Sequence, residues 1–275
     1  MEVNNCLEAM RVLWKSVLVA SLTVSLPALE IIAHRGASYD APENSLSAMK
    51  LAWEQGADAI ETDIHLSKDR QIVVMHDSTT KRTGQIDRKI SESAWAEIQD
   101  LEIGAWKGAT FKGERIPLLD AIFATIPKGK SIFTEIKSSE PEILDVLGKV
   151  MVQSGKEPSQ LRIITFSYQM ARAAKEKFPQ HPVFWLLDWK PAEGTTEYPR
   201  LSTLIAKARE AKLDGLDLNH RFPIHREFVK EIHRAGLKLY TWTVDDATVA
   251  KAHAAAGVDG ITTNRPQWLR EQLGK

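Results

Sequence analysis

From residue 30 onward the chain repeats one pattern, a short apolar β-rich run followed by a helical stretch, and this repetition restricts the possible folds more than any other feature. The predicted strands are Glu30–Ala33, Ala59–Ile64, Ser131–Ile136, Arg162–Phe166, Val183–Leu187, Gly215–Leu218, Lys238–Val244 and Gly260–Thr263. Between them lie predicted helices at Ser45–Gln55, Leu118–Ala124, Pro141–Ser154, Tyr168–Lys177, Thr203–Ala211, Arg226–Ala235 and Asp246–Ala256. Most begin at Ser, Thr, Asp or Pro, and several stop at glycine, as at Gly56, Gly155, Gly236 and Gly257. Repeated βα units favour a parallel sheet, and eight strands are the number that closes an α/β barrel, a (β/α)8 TIM barrel. A length of 275 residues suits one such domain.

One run breaks the alternation. Ile72–His76 follows Ala59–Ile64 after only Ser67-Lys68-Asp69-Arg70, too short for a parallel crossover, so it is expected to return as a β-hairpin. Pairing Ser67 with Arg70 sets His76 opposite Glu61 and Val74 opposite Asp63, a register that a one-residue bulge would shift. Residues 78–117 carry Gly84, Gly104, Gly108 and Gly113 and a helical pattern at Ser91–Leu101, more than a simple loop holds. They are expected to form a small lid-like insertion within the barrel unit 30–275.

Residues 1–29 read differently. Ser16 to Leu26 is an uncharged run of 11 residues, preceded by Arg11 and Lys15 and followed by Pro27-Ala28. It matches a secretory signal with cleavage near Ala28 better than a membrane span of about 20 residues. Glu2, Glu8 and Leu26 fit that pattern poorly, and a start at Met10 would remove the first two; the competing reading is an amphipathic or core helix. Cleavage would make the protein exported, periplasmic or secreted; otherwise it is cytoplasmic. No other stretch is long and apolar enough to cross a bilayer. Cys6 is the single cysteine, which excludes a disulfide framework and a thiolate zinc site. With 36 basic and 36 acidic residues, the charge balance does not suggest a nucleic-acid partner, and the sequence indicates no protein partner.

Chemistry-bearing residues gather where strands end: His34-Arg35, Glu61-x-Asp63, His76-Asp77 and Glu135-x-Lys137. Glu61 and Asp63 alternate along one strand and share a face, pointing into the barrel if Ile60, Thr62 and Ile64 face the helices. Two carboxylates in a dry interior raise each other's pKa or recruit a cation, and Glu135 would add a third oxygen ligand. Three carboxylates suit one hard divalent ion, Mg2+ or Ca2+, better than zinc; taken separately, they read as solvated strand ends. His34 and His76 titrate near neutrality and could serve as general acid and base on a reacting phosphorus. Arg35 and Lys137 offer charge to its non-bridging oxygens, or ion pairs to Glu61 and Glu135. His65, His181, His220, His225, His233 and His253 read as hydrogen-bonded structural residues.

The ordered set His34-Arg35-Gly36, Pro42-Glu43-Asn44-Ser45, Glu61-Thr62-Asp63-Ile64-His65-Leu66, His76-Asp77, Arg82-Thr83-Gly84, Ile116-Pro117-Leu118-Leu119, Glu135-Ile136-Lys137 and Gly257–Pro266 resembles the glycerophosphodiester phosphodiesterase family over residues 30 to 266. The resemblance implies a (β/α)8 barrel with an insertion after the second strand and one divalent metal. It also implies hydrolysis of deacylated phospholipids, such as glycerophosphocholine or glycerophosphoethanolamine, to glycerol 3-phosphate and an alcohol, a step of lipid and glycerol metabolism. Carried over, the catalytic pair is His34 and His76 and the metal ligands are Glu61, Asp63 and Glu135. The phosphate-contacting cations are Arg35 and Lys137, and Trp242 falls near the glycerol end of the site. The chain departs from the family at Arg70, where the hairpin turn usually has glycine, and at Asn264, where aspartate is more usual. A lysophospholipase D would use the same site with an apolar groove, for which Trp106, Phe111 and Trp189 are candidates. A non-catalytic phosphodiester-binding receptor would have no need of two histidines.

Overall fold

The computed structural model describes residues 29–189 and 198–275. The leader-like run at Ser16–Leu26 therefore lies outside the described residues. Eight parallel strands close a barrel: β1 (Glu30–Ala33), β2 (Ala59–Leu66), β4 (Ser131–Ile136), β5 (Leu161–Thr165), β6 (Val183–Leu187), β7 (Gly215–Asn219), β8 (Lys238–Trp242) and β9 (Gly260–Thr263). Their order around the barrel is β1-β9-β8-β7-β6-β5-β4-β2, and β2 pairs back onto β1. β3 (Ile72–Val74) is the antiparallel hairpin strand on β2. Helices Leu46–Glu54, Leu119–Ala124, Ile143–Gln153, Tyr168–Lys177, Leu201–Glu210, Arg226–Arg234, Ala247–Ala256 and Pro266–Gln272 surround it. All seven predicted helices are present, and Pro266–Gln272 is an eighth that periodicity does not reveal. Among the described residues no helix is long and apolar enough to cross a membrane.

Strand alternation sorts the residues into two cores. Ile60 and Ile64 of β2 point outward into the layer between strands and helices, together with residues such as Ile31, Leu216 and Ile261. Ile32, Ala59, Phe133, Ile164, Phe184, Leu186 and Tyr240 fill the barrel, with Trp242 packed against them. Tyr240 meets Phe133 and Phe184 edge-on, with centroids 4.9 and 5.0 Å apart. Below them Arg162 lies over the Phe133 ring at 4.9 Å and pairs with Glu30 at 2.6 Å, closing the N-terminal end. The barrel interior is thus packed below the cavity at the C-terminal ends of its strands, the end where barrels of this kind carry their chemistry.

The hairpin differs from the expected register by one residue. Ile64 pairs with Val74 and Leu66 with Ile72, and the Met75 N–H donates to the Asp63 carbonyl at 3.1 Å. His76 therefore comes level with Thr62, not Glu61, and the strand ends at Val74. The cause is the turn. Ser67 N–H bonds the Gln71 carbonyl, leaving three residues in the loop, and Arg70 adopts a left-handed conformation with φ 63°. This is the turn-plus-bulge geometry that normally takes glycine, and a side chain there costs about 1 kcal/mol.

Residues 78–117 form short turns of helix at Lys81–Gly84 and Trp95–Ile98 with bridges between Thr79 and Lys89 and between Glu102 and Arg115. The predicted helix at Ser91–Leu101 is thus a single helical turn at Trp95–Ile98. Ile90, Ile98, Ile103 and Ile116 bury themselves against Val73 and Met75 of the hairpin, forming a satellite core.

Gly215 shows how tightly the strands meet, since a Cβ there would lie 2.2 Å from the Lys238 carbonyl oxygen. Gly215→Ala should therefore cost about 2 kcal/mol or more, read as a lower urea midpoint with an unchanged slope.

Candidate active site

Every sequence-predicted site residue reaches the open end of the barrel. One cavity is lined by His34, Arg35, Glu61, His76, Glu135, Lys137 and Trp242, joined by Ile164, Phe166, Leu186, Asp217 and Thr262. Asp63 lies directly beneath, 1% exposed, bound to the cations of this lining. Trp106, Phe111 and Trp189, the candidates for an acyl-chain groove, are not part of the cavity lining.

The carboxylates are brought together by strand pairing, which sets Asp63 beside Glu135 in adjacent strands, with Glu61 one alternation earlier on the same face. One oxygen from each of Glu61, Asp63 and Glu135 lies within 4.8 Å of the others. Two cations hold them. Lys137 Nζ is 2.7 Å from Glu135 Oε1 and 3.1 Å from Asp63 Oδ1, and Arg35 Nε is 3.3 Å from Asp63 Oδ2. Lys137 thus makes the expected ion pair to Glu135, whereas the Arg35 side chain pairs with Asp63 and Glu43 and reaches Glu61 only through its backbone N–H; both residues also line the cavity.

The loop after β1 supplies further support. Arg35 has φ 55° and Asn44 φ 57°, left-handed values that cost each residue about 1 kcal/mol. In that conformation the Arg35 N–H donates to Glu61 Oε2 at 2.8 Å. Asn44 Nδ2 donates to Asp63 Oδ2 at 2.8 Å, while its Oδ1 accepts from Thr62 Oγ1 and from the Asp63 N–H. Strain in the loop is thus coupled directly to the orientation of two carboxylates.

Electrostatics divides the three acids. Burial, then Asp63 and Glu135, push Glu61 well up. Burial and Asp63 push Glu135 to about 7. Burial acts on Asp63 in the same direction, but Lys137, Arg35 and His76 outweigh it and hold its carboxyl well below the usual range. Among the described residues, buried Glu61 Oε1 has no hydrogen-bond partner. A hard divalent cation fits this donor set: it would satisfy that oxygen and relieve the repulsion that raises Glu61 and Glu135.

The two histidines have different partners. His34 Nδ1 lies 2.7 Å from Asn264 Oδ1. The Asn264 amide is oriented by Asp245, which accepts from its Nδ2, so Oδ1 accepts a hydrogen bond from His34 Nδ1–H and leaves Nε2 as the unprotonated ring nitrogen. Burial, then Arg35, lower His34 to about 4. His76 Nδ1 lies 2.7 Å from Asp77 Oδ1, a carboxylate that also takes Arg82 Nε at 2.7 Å. Burial lowers His76 as well, against the opposing pull of Asp63 and Asp77. Arg82 continues to Glu43 with two bonds of 2.7 and 2.8 Å, and Glu43 takes Arg35 NH1 at 2.9 Å. His65 Nε2 contacts the His76 carbonyl at 3.2 Å, so one histidine assigned a structural part helps hold a histidine of the cavity.

Sequence reasoning gives no part to Phe166, Asp217 or the Asn264–Asp245 pair, nor to Glu43, Asn44 and Arg82, which enter only as motif letters. For Asp217 a signal exists: in Gly215-Leu-Asp-Leu-Asn219 the acid alternates with outward leucines, the same pattern that marks Glu61-x-Asp63.

The model of the glycerophosphoryl diester phosphodiesterase family matches residues 34–268. The chain belongs to this family. A glycerophosphodiester phosphodiesterase of Caldanaerobacter subterraneus subsp. tengcongensis is 34% identical over 87% of this chain and 95% of its own. Glycerophosphodiester phosphodiesterase 1 of Bos taurus is 34% identical over 78% and 71%. An Oleispira antarctica phosphodiesterase, solved in complex with the product sn-glycerol-3-phosphate, superposes with a TM-score of 0.80 at 27% identity, over 90% of this chain and 97% of that one.

The raised carboxyls carry a sign. With Glu135 raised to about 7 and Glu61 shifted in the same direction, a cation entering the empty site competes with protons, so calorimetric Mg2+ titrations in two buffers of different ionisation heat should show proton release. Affinity should weaken as pH falls from 8 to 6. Binding without proton release and insensitive to pH would remove the carboxyl assignment.

Proposed function

We propose that this family member hydrolyses glycerophosphodiesters, glycerophosphocholine and glycerophosphoethanolamine among them, to glycerol 3-phosphate and an alcohol. The observation that carries the reading is one cavity lined by two histidines, two cations, Glu61 and Glu135, with Asp63 directly beneath them. A divalent ion, Mg2+ or Ca2+, held by Glu61, Asp63 and Glu135 would supply Lewis-acid polarisation of a non-bridging phosphoryl oxygen. Arg35 and Lys137 offset the charge that grows on the phosphoryl oxygens. Charge counting supports a phosphodiester. Three carboxylates against two side-chain cations leave one negative charge, a divalent ion turns it to one positive, and a phosphodiester carries one negative.

His34 acts as general base in this reading, because its partner is a neutral amide and its Nε2 stays unprotonated down to about pH 4. His76 acts as general acid, because the Asp77 carboxylate stabilises its imidazolium. His34 takes the proton of the attacking oxygen, and His76 gives one to the departing alcohol. Phe166 and Trp242, in edge contact at 5.4 Å, also line the cavity.

The test is release of glycerol 3-phosphate from glycerophosphocholine, with lysophosphatidylcholine in parallel. Activity should vanish in EDTA and return with Mg2+ or Ca2+, and His34→Ala and His76→Ala should each lose at least about 100-fold in kcat. Full activity in EDTA or in either variant overturns the assignment, and faster turnover of the acylated substrate redirects it to a lysophospholipase D.

The roles of the histidines are separable by pH. Asn264→Asp places an anion at His34, raises its pKa and should move the acidic limb of kcat/KM upward by about 1 unit or more. Asp77→Asn removes the anion from His76, lowers its pKa and should move the alkaline limb downward. The opposite pattern of limbs would exchange base and acid.

A further inference from the structure

The three carboxylates differ in the oxygens they leave free. Glu61 Oε2 accepts the Arg35 N–H at 2.8 Å, and among the described residues its Oε1 has no hydrogen-bond partner. Asp63 Oδ2 accepts Asn44 Nδ2 at 2.8 Å, with Arg35 Nε 3.3 Å away, while Lys137 Nζ lies 3.1 Å from its Oδ1. The cation beside Glu135 is the same Lys137, 2.7 Å from Oε1. Lys137 is a flexible side chain that lines the cavity and can turn to a phosphoryl oxygen, whereas a backbone N–H and a buried amide stay where the fold puts them. Glu61 and Asp63 therefore present one uncommitted oxygen each.

The Asn44 amide cannot flip away from Asp63. Its Oδ1 accepts from Thr62 Oγ1 at 2.8 Å and from the Asp63 N–H at 3.2 Å, and a backbone N–H can only donate, so Nδ2 is the atom that faces Asp63 Oδ2. The backbone is anchored as well. Asn44 is 2% exposed, its N–H donates to the Arg35 carbonyl at 3.0 Å, and its left-handed φ of 57° is one that asparagine tolerates better than most side chains. One residue thus grips Asp63 by its N–H and by one carboxylate oxygen at once.

The two candidate ions ask different things of a carboxylate. Ca2+ gathers about six to eight oxygens in a flexible shell and readily takes both oxygens of one carboxyl group, whereas Mg2+ holds several waters and takes single oxygens from few carboxylates. We propose that Asn44 is a positioning residue that sets ion selectivity: by occupying Asp63 Oδ2 it confines Asp63 to a single oxygen ligand and makes the site prefer Mg2+ to Ca2+. The inference rests on the metal-dependent phosphodiesterase reading above and narrows its choice of ion. Without the Asn44 side chain, Asp63 can offer both oxygens, a change that favours the ion with the larger shell.

The experiment titrates Mg2+ and Ca2+ separately, by calorimetry, into the full-length protein freed of metal with EDTA, and into the variants Asn44→Gly and Thr62→Val. Glycine removes the amide yet keeps the left-handed backbone available. Wild-type protein should bind Mg2+ about tenfold more tightly than Ca2+, and in Asn44→Gly that ratio should fall about tenfold, the scale on which partners of metal ligands act. Thr62→Val removes one of the two bonds that hold Asn44 Oδ1; it should shift the ratio the same way by a smaller factor, and it serves if the glycine variant does not fold. The ratio is the readout, because a merely structural loss weakens both ions alike. A wild-type protein that binds Ca2+ as tightly as Mg2+, or an Asn44→Gly variant in which both ions weaken equally, overturns the proposal and leaves the phosphodiesterase reading standing. A wild-type protein that binds neither ion and hydrolyses glycerophosphocholine fully in EDTA overturns the proposal together with the metal dependence of that reading.

Discussion

The whole site depends on three carboxylates forced together in a dry place. Strand pairing alone sets Asp63 beside Glu135, and alternation adds Glu61 to the same face, so the backbone hydrogen bonds of the barrel hold together groups that repel. The surrounding features read as responses to that crowding. Lys137 and Arg35 are half-buried cations drawn in by it, Asn44 fixes Asp63, and the left-handed Arg35 backbone turns an N–H toward Glu61. Two strained residues in one short loop cost about 2 kcal/mol together, an amount that a packed barrel can offset and an isolated loop could not. The aromatic layer of Phe133, Phe184 and Tyr240 keeps the strands beneath the site in register.

The two histidines show how loops of a barrel divide labour. Each ring is held through Nδ1, which leaves Nε2 for the proposed proton transfer, but one partner lies 230 residues further along the chain and the other is the next residue. Asn264 follows the last strand and is itself held by Asp245 after β8, while Asp77 belongs to the return segment of the hairpin and is held by Arg82. Arg82 then reaches Glu43, and Glu43 reaches Arg35, so the loops that carry His34 and His76 share one chain of ion pairs. Because Arg82 and Asp77 are partly exposed, the contribution of this chain to stability is small, and its effect is on geometry.

Which of these features the sequence reveals follows from the distance over which each is determined. Strands and their inward faces depend on neighbours two residues apart, so the convergence of Glu61-x-Asp63 and Glu135-x-Lys137 is legible in the sequence alone. The hairpin register depends on the backbone conformation of one residue, Arg70, whose identity argues against the left-handed turn it adopts. The pairing therefore departs by one residue from the register that the simplest turn gives, although His76 still reaches the cavity. Partners such as His34 and Asn264, 230 residues apart, or Arg82 and Glu43, 39 apart, are set by loop packing to which no local pattern points. Asp217 is legible by alternation but is a lone acid in an apolar strand, and a lone acid does not declare a function.

Charge also has consequences after the bond is broken. With a divalent ion in place the site carries one net positive charge, which a phosphodiester monoanion neutralises. Hydrolysis converts that diester into a phosphate monoester with close to two negative charges near neutral pH. The product therefore brings roughly one negative charge more than the substrate, and a site with one net positive charge would hold that dianion more tightly, so electrostatics opposes release. Loss of the ion would reverse the sign, because Glu61, Asp63 and Glu135 outnumber Arg35 and Lys137, and the retention of the product is thus tied to the occupancy of the carboxylate cluster.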